Sequence, residues 1–136
     1  MAKAGINPKK ISIPSGFVER LEIGQKPIMY LCGLDNGERL RTEQDARIIA
    51  KAIEQLLGEE RGLLLVDLTR LRYNVPKEVR AYLVDEVLPL VDASAVLVGT
   101  GISKIMGNII LSFHRKVMPR RLFTDKNEAI NWLNTI

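Results

Sequence analysis

Short, wholly aliphatic runs alternate along this chain with longer segments whose apolar residues recur every three or four positions. Leu63-Leu64-Leu65-Val66 is the clearest run. Successive side chains of a strand point to opposite faces, so four apolar residues in a row ask for burial on both faces. Residues 95–98 have the same character and stop at Gly99. Between such runs the spacing is helical. Ala46, Ile49, Ile53 and Leu57 follow Thr42, whose side-chain oxygen suits a helix N-cap, and Gly58 stands at the expected stop.

A second helix is expected after Pro76, with Val79, Tyr82, Leu83 and Val87 on one stripe ahead of Pro89. A third is expected from Ile102, Ile105, Met106, Ile109, Ile110 and Phe113, closed by Pro119. Asp125 caps a short fourth, with Glu128 three places on and Ala129, Ile130, Trp132 and Leu133 as its apolar face. Residues 17–23 and 27–32 read as two further strands about the turn Gly24-Gln25-Lys26, and Leu122-Phe123 as a last one. Residues 1–16 show little periodicity and read as a loose, flexible arm. The expectation is one α/β domain over 17–136, with a mostly parallel central sheet of about five strands and four helices. Its order is β-β-α-β-α-β-α-β-α, with right-handed crossovers.

Composition agrees with one globular domain: 136 residues, 46% hydrophobic and 26% charged. A single cysteine, Cys32, rules out an intramolecular disulfide. The N-terminus has no apolar core of the signal-peptide kind, and no apolar run reaches the ~20 residues of a spanning helix. A reducing, cytoplasmic setting is expected. The net charge is +4, and from 101 to 136 six basic residues face two acidic ones. Such an excess suits an anionic partner, or cations complementing a helix end. Nucleic acid is disfavoured, because the aromatic and Arg/Gly interleaving of its binders is missing.

Gly107-Asn108-Ile109-Ile110, Pro119-Arg120-Arg121-Leu122-Phe123-Thr124-Asp125 and Glu128-Ala129-Ile130-Asn131-Trp132-Leu133 together resemble the C-terminal signature of small STAS-like bacterial proteins. STAS is the domain shared by sulfate transporters and anti-sigma factor antagonists; the particular likeness is to a branch grouped with the CRAL-TRIO fold. The resemblance covers about the last third of the chain and implies a non-catalytic regulatory or binding module. In the anti-sigma antagonists a serine at the start of the second helix is phosphorylated to switch partner binding. Here that position holds Pro76 or Lys77, so the switch does not carry over.

Candidate chemistry is sparse. His114 and Cys32 cannot assemble a structural zinc site, and no cofactor motif is present. Cys32 inside an apolar strand behaves as a small hydrophobe. The neighbouring pairs Glu59-Glu60 and Asp85-Glu86 point in different directions on a helix and read as solvated surface. Asp67 ends a buried strand, where open α/β sheets bind ligands, and Thr69, Tyr73 and Asn74 share its connection. It equally suits a turn closed by its own side chain. Gly99, Thr100, Gly101, Ser103 and Lys104 join a strand to a helix, where backbone amides attract anions. They equally suit a tight turn with a cap. The basic residues His114, Arg115, Lys116, Arg120 and Arg121, with the apolar third helix, form a patch suited to anionic lipid. The reading is therefore of a binding module without catalysis, cofactor or metal, engaging a protein partner or a second copy of itself. Membrane-surface binding through 114–121 and small-anion or nucleotide binding at 99–104 are the alternatives.

Overall fold

The computed structural model describes residues 9–34, 39–71, 75–99 and 118–136. Its sheet begins earlier than the aliphatic runs imply. Lys10–Ile13 forms β1, Gly16–Leu21 β2 and Ile28–Gly33 β3, a meander with both pairings antiparallel. The arm expected over 1–16 is thus corrected, because 10–13 is ordered strand. Ile11 and Ile13 turn inward between exposed Lys10 and Ser12. Ser15, at φ 65°, closes the turn into β2. Two apolar residues make a weak signal alone; the ladder to β2 completes them. Gly16 is required by close approach, since a Cβ there would stand 2.0 Å from the Cys32 carbonyl oxygen.

The chain continues through α1 (Glu43–Leu57), β4 (Gly62–Asp67), α2 (Lys77–Val87), a single 3-10 turn (Leu88–Leu90) and β5 (Val91–Leu97). After it come β6 (Arg120–Phe123) and α3 (Lys126–Leu133). Strand order follows chain order from β1 to β6. The β3–β4, β4–β5 and β5–β6 pairings are parallel, so the sheet is mixed and six-stranded in place of mostly parallel and about five-stranded. The reason lies in the connections. A few residues join only antiparallel neighbours, whereas parallel neighbours need a long crossover. Three of the four expected helices are among the described residues; the one expected over 102–113 lies outside them.

α1 starts as its sequence implies. The Thr42 hydroxyl accepts from the Asp45 amide, and the Asp45 carboxylate accepts from the Thr42 amide in return. Gly58, at φ 64°, takes the positive φ that ends the helix. The Asp125 carboxylate accepts from the Asn127 amide at the start of α3.

The sheet divides the core by alternation. Met29, Leu64 and Val96 point to the face covered by α1 and α2. Tyr30, Cys32, Leu63, Leu65, Ala93, Ala95 and Leu97 point to the other, where Ala129 and Leu133 of α3 meet them. Crossovers that advance in one direction with one hand set α1 and α2 on the same face. Small side chains on β5 let α3 lie close. Ala95→Leu is expected to overpack this layer and lower stability by about 1–3 kcal/mol. Ser12→Ala, on the exposed side of β1, should stay within about 0.5 kcal/mol. Urea unfolding with unchanged m-values checks both.

Candidate functional site

β4 carries Asp67 to the edge where the parallel strands end, in register with Cys32 of β3 and Leu97 of β5. Its side chain is only 5% exposed. A buried carboxylate needs donors, and Asp67 has three. Tyr30 Oη donates to Oδ2 at 2.5 Å. The Thr69 amide and hydroxyl donate to Oδ1 at 2.9 and 2.6 Å. The bond to the amide two residues on makes this the side-chain-closed turn that the sequence allowed. Leu68 adds a backbone bond to the Leu97 carbonyl at 2.9 Å, which fixes the start of the loop after β4 against β5.

Tyr30 belongs to the same cluster and was not legible as a site residue. A lone phenol in an otherwise apolar strand was the available signal, because a buried tyrosine hydroxyl seeks a partner. Burial first, then the bond to Asp67, pushes its hydroxyl well above the usual tyrosine range. Burial likewise raises the Cys32 thiol, and the Asp67 charge adds to that. The Tyr30 ring meets the edge of Phe17 at 5.9 Å between centroids. Lys126 Nζ lies 4.1 Å from its centroid and Lys10 Nζ 4.2 Å from that of Phe17. The cluster joins a carboxylate that accepts three hydrogen bonds to a phenol and a thiol whose ionisation burial disfavours.

The other sequence candidates scatter. Gly99 lies two positions past β5, at the same edge as Thr69. Tyr73, Asn74, Thr100, Gly101, Ser103, Lys104, His114, Arg115 and Lys116 lie outside the described residues. Arg120 and Arg121 do not form one patch. They are successive residues of β6, and strand alternation sends them to opposite faces. Arg121 is exposed, its guanidinium 5.3 Å from the Phe123 ring centroid. Arg120 is half-buried beside Ser94, and burial pushes its guanidinium down to about 10.

Arg120 also lines a cavity of about 100 Å³ between the sheet and the helix layer. Leu31, Leu64 and Val66 form its sheet side, and Leu83, Val84 and Val87 of α2 its helix side. Arg80 of α2, which also lines it, donates to the Val75 carbonyl at 2.9 Å. Sequence reasoning found neither the cavity nor Arg80. Among the described residues, no three of His, Cys, Asp and Glu come together as metal ligands. No helix among them is long and apolar enough to cross a membrane.

Fold and site together define an α/β domain with a mixed sheet, a polar knot at the carboxyl edge of β4 and an apolar cavity under α2. The chain belongs to DUF7793, a family of domains of unknown function whose family model matches residues 32–136. No curated protein and no solved structure matches it.

Two variants separate the parts of the knot. Asp67→Ala strands the Tyr30 hydroxyl and the Thr69 amide, and is expected to cost about 2–4 kcal/mol, whereas Tyr30→Phe removes one bond to a charged group, about 1.5–3 kcal/mol. Chemical denaturation of both and of the double variant gives the coupling. A raised tyrosine pKa means that the folded state holds its proton more tightly than the unfolded chain. Stability is then fully present below the ordinary value of about 10 and falls as pH rises above it. The wild type should lose stability above that pH more steeply than Tyr30→Phe. Equal slopes would show that Tyr30 makes no contribution.

Proposed function

We propose that this chain is a non-catalytic, cytoplasmic binding module of STAS-like type, acting through a protein partner at the edge where β4 and β5 end. The observation that carries the reading is the engagement of Asp67. Asp67, a buried carboxylate at that edge, has both oxygens bound by Tyr30 and Thr69. It serves to fix Thr69 at the start of the connection rather than to move protons. Residues held in place before association lose little entropy on binding, so Thr69 and its exposed neighbour Arg70 favour a recognition surface. Arg70 follows Thr69 and is exposed beside it, where a partner's carboxylate can reach it. The resemblance of the C-terminal third to STAS-like proteins points the same way.

Affinity capture from the native cytoplasm is expected to yield a protein partner in fixed stoichiometry. Arg70→Glu should reduce its recovery at least tenfold, while Arg47→Glu on exposed α1 leaves it unchanged. Recovery of free monomer or self-dimer alone, or equal loss with both variants, would overturn the reading.

A further inference from the structure

Three exposed cations, Lys10, Arg70 and Lys126, stand around the knot of Tyr30, Asp67 and Thr69. Lys10 of β1 and Lys126 at the start of α3 reach the same face of the sheet. Their ammonium groups lie 4.2 and 4.1 Å from the ring centroids of Phe17 and Tyr30, and those two rings meet edge to face. Arg70 follows Thr69 where β4 ends. Burial raises the Cys32 thiol, and the charges of Arg70 and Lys126 are among those that oppose it, which sets both near the end of β3. Among the described residues, none of the three cations has a carboxylate within ion-pair distance. An ammonium above a ring still directs donors away from it, so the two lysines keep bonding capacity. The acidic groups nearby leave that capacity unused. Asp67 is buried and held by Tyr30 and Thr69, and Asp125 accepts from the Asn127 amide. Glu128, two places beyond Lys126 on α3, does not face it. Glu19 shares the face, in register with Lys10 and with Tyr30.

We propose that this patch binds an acidic segment of the protein partner, with carboxylates of that segment on Arg70, Lys126 and Lys10. The proposal rests on the reading of this edge as a partner surface and adds the charge of what docks there. A guanidinium matches a carboxylate in geometry, and opposite charge steers the encounter. Lys126 stands in the first turn of α3, where a cation opposes the helix dipole, so helix stability does not account for it. Two other anionic occupants fit less well. A single nucleic-acid strand needs free aromatic faces on which bases stack, whereas Lys10 and Lys126 already lie over the rings here. An anionic membrane needs exposed apolar side chains beside the cations. The large exposed ones among the described residues, Ile23 and Ile136, stand at the other end of the sheet, where Gly24 meets Asn134.

The test is an amide-detected NMR titration of the full chain with hexaglutamate, beside hexaglutamine, an oligothymidylate and phosphatidylglycerol vesicles. Hexaglutamate should shift the amides of Lys10, Arg70 and Lys126. Its affinity should fall about tenfold between about 0.05 and about 0.5 M salt, as contacts between exposed charges do. Arg70→Glu and Lys126→Glu should each weaken binding at least about threefold and Lys10→Gln about twofold, the scale of exposed ion pairs. Glu19→Gln should strengthen it. Lys51→Glu, exposed on α1 across the sheet, should leave it unchanged. In affinity capture, Lys126→Glu should lose the partner as Arg70→Glu does. Hexaglutamate binding no tighter than hexaglutamine, equal weakening by Lys51→Glu, or tighter binding of the oligothymidylate or the vesicles would each overturn the proposal. Capture that depends on Arg70 but on neither lysine would also overturn it and leave the partner reading standing. Hexaglutamate binding that depends on all three cations, with no protein captured, would support the patch and count against the partner reading alone.

Discussion

Coverage of β3, β4 and β5 on both faces at once is the constraint on which the rest of the domain depends. Met29 and Ile28, or Leu64 and Leu65, are neighbours in the chain and belong to different core clusters. Neither cluster forms unless the other face is also sealed. Among the described residues two helices cover one side, and a single eight-residue helix is the main cover of the other. A helix so short is not stable alone in water. It persists because Asp125 caps it and because Ala93, Ala95 and Ala129 let its backbone approach the sheet.

Two aspartates show how depth dictates the partner. Asp92, at the opposite edge of the sheet, remains partly exposed. Lys26 and Arg61 bond to it at 2.9 and 2.7 Å and draw its carboxyl below the usual range. Water screens that arrangement, and exposed pairs contribute little to stability. Asp67 is inside, where pairing with a long cation would bury a second charge. It is held instead by a phenol, a hydroxyl and an amide, all neutral. Neutral donors bring no second desolvation, and their fixed directions hold Thr69 at the start of the connection after β4.

Local periodicity accounts for what was legible. The caps at Thr42 and Asp125, the stop at Gly58 and the buried runs of β4 and β5 depend on residues within a few positions of one another, so a single sequence displays them. β1 was not legible because its inward residues, Ile11 and Ile13, are too few to register until β2 pairs with them. Tyr30 and Asp67 lie 37 positions apart, and only the register of β3 on β4 brings them together. Asp67 and Thr69 could be named as a pair, but the third member depended on tertiary pairing. The cavity was hidden for the same reason, since its walls come from five strands and two helices.

The basic excess of the C-terminal region shows most clearly how sequence charge and surface charge differ. Arg120, Arg121 and Lys126 fall within seven positions, yet the fold sends them to three places. Arg120 lines the cavity, Arg121 lies over Phe123, and Lys126 lies over Tyr30. Two of these cations face aromatic rings, where the quadrupole already partly satisfies them. The cation most changed by its surroundings is the half-buried Arg120. A count of lysines and arginines along the chain therefore does not give the charge presented by one surface, because the pleat of β6 and the start of α3 part these three residues.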